Sequence, residues 1–127
     1  MTDPFRSLDE LYVAADEYLD TGAISNYGPI EVWDVSQLTS LDRLFDSTRR
    51  NPLAVSFNAD ISRWNTSNVE SMERTFYGAR QFNRDLSGWD TSKVVNMNET
   101  FARATSFGGN IRHWNLSSVQ TMAGMCK

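Results

Sequence analysis

One cysteine and one histidine are all that this 127-residue chain holds of two residue types on which much site chemistry rests. The lone Cys126 excludes an internal disulfide framework and any zinc site built on cysteines. His113 has no second histidine or cysteine to share a metal with, so no metal site is expected. Positive charge is also scarce: twelve basic residues against sixteen acidic leave a net charge of -4, which argues against nucleic acid or anionic membrane as a partner. No apolar run is long enough to span a bilayer, and the opening MTDPFRSLDE has neither the basic start nor the apolar core of a secretory signal. Glycine-rich phosphate loops and the G-x-S-x-G nucleophile elbow are missing as well. These gaps lead to an expectation of no catalytic residues, no cofactor and no enzymatic activity.

What the chain does have is periodicity. Trp33, Trp64, Trp89 and Trp114 introduce phrases that align without gaps from the second tryptophan onward. Six extra residues between Asp46 and Ser56 lengthen the first interval, and their polar composition reads as a surface loop inserted near 46–56. Within each phrase, Leu38, Val69, Val94 and Val119 form one apolar column. Leu41, Met72, Met97 and Met122 form the next, and Phe45, Phe76 and Phe101 a third, which ends in Cys126. The order Val69, Met72, Phe76, Ala79 predicts a short helix in every unit. Ser36, Ser67, Ser92 and Ser117 stand where N-caps would, with capping-box partners Glu70 and Gln120, and the preceding Asp34, Asn65, Asp90 and Asn115 suit an Asx turn. Phe57 with Ile61, Phe82 with Leu86 and Phe107 with Ile111 read as short strands at period two.

The fold class so predicted is an α/β repeat solenoid: a leucine-rich-repeat-like right-handed coil of short parallel strands and short helices. Residues 27–127 would supply about three and a half units. Trp33, Trp64, Trp89, Trp114, Met72, Met97, Met122, Phe45, Phe76 and Phe101 would form its internal core ladder. Residues 1–26 would supply a capping helix, from the spacing of Leu8, Leu11, Tyr12, Ala15, Tyr18 and Leu19, with Ser7 and Glu10 at its start and Gly22 at its stop. Acidity concentrates there, with six acidic residues and one basic up to Ile30 against ten and eleven afterwards.

The phrases YGPIEVWDVS, FNADISRWNTSNVESMERTF and FNRDLSGWDTSKVVNMNETF resemble the repeat of BspA-like, mycoplasma-lipoprotein-type surface proteins, over about Tyr27 to Lys127. The resemblance implies a solenoid related to leucine-rich repeats, a role in adhesion or protein interaction, and a cell-surface or secreted location. It carries no catalytic residues with it.

Function is therefore expected to lie in a surface: a non-catalytic interaction or adhesion module, or an accessory or scaffolding subunit. The sequence stops at Met125, Cys126 and Lys127 within the predicted fourth helix, so Trp114, Val119, Met122 and Cys126 are the expected contact surface for a protein partner or second copy, unless the chain is a fragment. The alternative is a carbohydrate-binding or glycan-processing protein using Asp60 and Asp85, which the repeat places one coil apart. A column of Asp60, Asp85 and Asn110, beside Asn58 and Asn83, is more simply explained by hydrogen bonding to turns. Cys126 reads as a small buried apolar side chain. Arg43 and Arg74 share a column interrupted by Glu99 and Gly124, the pattern of a varied solvent face. Two of the three sequons, at Asn65 and Asn115, fall on the Asx turns, leaving Asn98 apart.

Overall fold

A computed structural model describes residues 3–22, 27–109 and 111–126. Its α-helix, α1 (Leu8–Thr21), starts where the sequence predicts: Ser7 is extended, its Oγ accepts from the Glu10 N–H, and Asp9 and Glu10 sit against the positive end of the helix dipole. It stops at Gly22, whose φ of 67° lets its N–H turn back onto the Tyr18 carbonyl. Leu11, Ala14 and Ala15 are buried, so α1 lies on the core by one face.

Beyond α1 the expected architecture is not found. Among the described residues the remaining regular elements are two short 3-10 segments, Ile30–Val32 and Pro52–Ser56, and the parallel pairing is confined to isolated bridges. The chain is therefore not an α/β solenoid of parallel strands and helices, and the leucine-rich-repeat description fails with it. The period belongs to the sequence and is carried by turns and stacked side chains.

The reason the helices do not form is in the backbone. Arg74 has φ 55° and Gly78 φ 68°, left-handed values that break any run of i to i−4 bonds through Val69–Ala79. The N–H groups take alternate directions instead. Those of Met72, Arg74, Phe76 and Gly78 donate to the carbonyls of Asn96, Asn98, Thr100 and Ala102 at 2.8–3.0 Å. Those of Thr75, Tyr77 and Ala79 close turns on Met72, Arg74 and Phe76. The same rows join Leu41, Arg43, Phe45 and Ser47 to Ser71, Glu73, Thr75 and Tyr77, and Met97, Glu99 and Phe101 to Thr121, Ala123 and Met125. Arg43, Arg74, Glu99 and Gly124 form one left-handed column through the stack. At Gly78 a side chain would also collide with the Ser47 Oγ, which donates to the Gly78 carbonyl.

The strands fail for a different reason. Phe57, Ala59 and Ile61 are buried while Asn58 and Asp60 are exposed, so the period of two is present. The groups that cross between units here are side chains. Asn58 Oδ1 accepts from the Asn83 N–H and Asn83 Oδ1 from the Gly108 N–H, each at 2.9 Å. The indole N–H groups of Trp64, Trp89 and Trp114 donate to Ile30, Ile61 and Leu86 carbonyls at 2.8–2.9 Å. The Asx turns are present, with Asp34, Asn65, Asp90 and Asn115 accepting from the N–H two residues on. Ser67 and Ser117 have no helix to cap: the N–H groups of Glu70 and Gln120 donate to Thr39 and Val95 carbonyls in the neighbouring phrase.

Three aromatic stacks run through the core, beside buried aliphatic and methionine side chains such as Leu41, Met72 and Met97. Successive tryptophan centroids are 6.2, 6.3 and 6.5 Å apart. The Phe45–Phe76–Phe101 stack has spacings of 5.9 and 5.4 Å and the Phe57–Phe82–Phe107 stack 5.6 and 5.8 Å, within the range of favourable offset stacking.

Candidate interaction surface

Stacking of this kind leaves two unlike faces, because each row of N–H donors points one way and each row of carbonyls the other. In later phrases the carbonyls of Glu73, Thr75 and Tyr77, and of Asn98, Thr100 and Ala102, are met by backbone N–H groups. The positions equivalent to them in the first phrase are Asp42, Leu44 and Asp46. Here the donors come from elsewhere. The Tyr12 hydroxyl of α1 donates to the Asp42 carbonyl, the Arg50 guanidinium to the Leu44 carbonyl at 2.8 Å, and the N–H groups of Arg50 and Asn51 to the Asp46 carbonyl at 3.3 and 3.0 Å.

The inserted segment is thus more than a surface loop. Arg50 forms a two-pronged ion pair with Asp16 of α1 at 2.7 and 3.0 Å and lies 4.1 Å from the centre of the Tyr12 ring, while Asn51 Nδ2 donates to Asp16 at 2.8 Å. Its other end is fixed by Asp46, which is fully buried. Burial pushes the Asp46 carboxyl up, but the Arg74 guanidinium at 2.7 Å, the N–H groups of Thr48 and Arg49 and the Thr48 hydroxyl together hold it below the usual carboxylate range. Arg74 is itself 3% exposed, pairs also with Glu99, and lies over the Tyr77 ring. The solvent face expected for Arg43 and Arg74 holds for Arg43 alone, which is exposed. Sequence reasoning missed Tyr12, Asp16, Asp46, Arg50 and Arg74 as a group. Tyr12 was legible only as part of the helix and Arg74 only as part of a column, since the partners that join the group lie 28 to 35 residues away.

On the opposite face the donor row reaches Met122, Gly124 and Cys126. No described group accepts from their N–H. Met122 is 42% exposed, whereas Leu41, Met72 and Met97 of the same column are fully buried. Leu116, also 42% exposed, occupies the place of the buried Thr66 and Thr91. Val119 and Met125 are half-buried against the core, and Trp114 is buried at 6%. Of the four residues expected on a contact surface, Met122 and Cys126 are exposed, Val119 is partly so and Trp114 is not. Cys126 is not the buried apolar side chain expected of it. A hollow of about 250 Å³ beside this face is lined by Glu73, Asn98, Glu99, Ala123 and Gly124.

The remaining candidates are scattered. His113 is exposed. Asp60 and Asp85 are exposed, and the hydroxyl and N–H of Ser62 and the N–H and hydroxyl of Ser87 hold their carboxyls below the usual range, the reverse of what a general acid needs. No group of three or more His, Cys, Asp or Glu among the described residues is placed to hold a metal ion. Thr66 and Thr100 of two sequons are buried and donate to the Asp90 and Met72 carbonyls. Asn110 and Lys127 lie outside the described residues. No helix among those described is long and apolar enough to cross a membrane.

Neither the curated proteins nor the solved structures contain a match to the chain. The model of a family described as Mycoplasma protein of unknown function, DUF285, matches residues 14–127. The chain belongs to that family.

Proposed function

We propose that this family member is a non-catalytic protein-interaction module whose working surface is the Leu116–Cys126 face. One observation carries the reading. Met122 stands in a column whose other members are fully buried wherever another phrase lies over them, yet it is 42% exposed. Apolar surface set in a position built for burial is what a docking site presents. The resemblance to BspA-like surface proteins supports an adhesive or scaffolding role for the contact so made.

A photoreactive amino acid placed at Met122 or Leu116, and at the still more exposed Val13 of α1 as a reference, tests this in cells of the native source. The expected result is discrete protein adducts from the first two positions and none from Val13. Equal labelling at all three, or adducts only from Val13, would overturn it.

A further inference from the structure

In the column that follows the tryptophans, Asp34, Asn65, Asp90 and Asn115 perform one structural task. Each side chain offers its Oδ1 to the N–H two residues on, at 2.9–3.0 Å. A carboxylate accepts there as well as an amide does, so the turn itself gives no reason for the amide nitrogens of Asn65 and Asn115. Neither Nδ2 donates to a described group, and both asparagines are exposed. That exposure belongs to the column as a whole, because Asp90, with a phrase on either side of it, is exposed too. Asn65-Thr66-Ser67 and Asn115-Leu116-Ser117 have the acceptor pattern for N-linked sugar. The fold leaves the groups of that pattern within reach, with Ser67 half-buried and Ser117 exposed. The third sequon, Asn98-Glu99-Thr100, is placed otherwise. Asn98 is half-buried in the hollow between Glu73 and Glu99, and its Oδ1 accepts from the Ala123 N–H at 2.8 Å. The Thr100 hydroxyl is fully buried and donates to the Met72 and Met97 carbonyls at 2.9 Å.

We propose that Asn65 and Asn115 carry N-linked sugars added to the folded chain, and that Asn98 is passed over. The co-reactant is an activated glycosyl diphosphate, on a nucleotide or a lipid carrier. A bond forms between the sugar C1 and Nδ2 while the C1–O bond to the diphosphate breaks. The diphosphate leaves with the electron pair, and the amide gives up one proton to a base of the transferase. Oδ1 gains no bond in this step and stays an acceptor, so the turn onto Ser67 or Ser117 survives it. Spacing suits the product. Phrases follow one another at about 5 Å, as strands do, and sugars on successive phrases would collide; with Asp90 between them, Asn65 and Asn115 stand about 10 Å apart. Leu116 takes the place of Thr66 and Thr91, which are buried between phrases, so it faces along the stack while Asn115 faces out of its side. The sugars therefore line a flank of the molecule, and their assignment does not rest on the docking face.

The full chain, tagged and recovered from cells of the native source, tests this by intact mass and by peptide mapping. A glycan-releasing amidase used in heavy-oxygen water leaves a labelled aspartate wherever an asparagine carried sugar. Label is expected at positions 65 and 115 and not at 98. Ser67→Ala should abolish the label at 65 alone and Ser67→Thr should restore it, whereas spontaneous deamidation would ignore both changes. Asn65→Asp and Asn115→Asp, which keep the acceptor, should each remove one sugar from the intact mass and leave the urea midpoint unchanged. A single hexose in that mass would identify a nucleotide-linked donor, and a longer oligosaccharide a lipid-linked one. Absence of label from either asparagine overturns the proposal. Label at 98 to the same extent overturns it as well, since addition would then precede folding.

Discussion

The wall formed by residues 71–79 and the wall formed by residues 57–64 stack on their successors at the same interval, yet they are held by different chemistry. In the first, the backbone itself crosses between phrases at alternate residues, and left-handed conformations at Arg74 and Gly78 are what turn it outward. In the second, the crossing groups are Asn amides and tryptophan indoles, and the backbone of residues 57–61 makes no ladder with its neighbours before it turns at Ser62 and Arg63. A backbone row tolerates any side chain that accepts the conformation, so Arg, Glu and Gly alternate freely in its left-handed column. A side-chain row depends on residue type, and Asn58 and Asn83 repeat accordingly.

The comparison is broken most severely where both walls meet. Phe76 stacks on Phe45, Phe82 and Phe101, with centroids 5.9, 4.4 and 5.4 Å away, and is fully buried. Phe76→Ala is expected to cost about 4 kcal/mol through lost burial and the cavity left behind, a large share of a domain's stability, and urea titration should find the midpoint shifted far down.

Next is the ion pair beneath the inserted segment. Arg74→Met leaves the Asp46 carboxylate buried without its counter-ion, a loss of about 3 kcal/mol by the same titration. The pair also sets a pH dependence. Because the Asp46 pKa is lowered on folding, its contribution is complete above the unfolded value of about 4 and disappears as pH falls through the native value. Acid unfolding of the parent should deepen over that interval. In Arg74→Met burial is no longer offset by the guanidinium, so the slope should flatten. An unchanged slope would show that Thr48 and Arg49 alone hold the carboxylate.

These residues also mark how far the sequence could be read. The tryptophan, phenylalanine and methionine columns were legible because burial recurs at fixed intervals, and α1 because its cap and apolar spacing are local. The intervening geometry was not. A spacing of three, four, three places Val69, Met72, Phe76 and Ala79 on one side of a helix. It does the same for a chain of turns whose alternate N–H groups leave for a neighbouring phrase, and burial alone cannot tell the two apart. The signal that could have done so was weak: Gly78 and Gly124 sit where a helix gains nothing from glycine. The polar cap was illegible for another reason, since Tyr12, Asp16 and Arg50 meet only through tertiary contact.

The side-chain wall should give way more gently. Asn83→Ala removes the acceptor for the Gly108 N–H at an exposed site, where water can replace it, so a loss of about 1 kcal/mol is expected. A value near that for Phe76 would mean that the asparagine row, and not aromatic stacking, maintains the interval.

The smallest effect discriminates best between the two walls, because its sign is at issue. Arg43 is exposed, has φ 60°, and makes only a 3.6 Å surface pair with Glu73, an interaction worth little. Its left-handed conformation costs a non-glycine residue about 1–2 kcal/mol, whereas glycine adopts it freely but loses about 0.5–1 kcal/mol more in chain entropy on folding. Arg43→Gly should therefore stabilise the protein slightly, by about 0.5 kcal/mol, as Gly124 already exemplifies in the same column. Were it destabilising by as much as Asn83→Ala, the arginine side chain would be holding the row, and the backbone-bonded wall would depend on residue type after all.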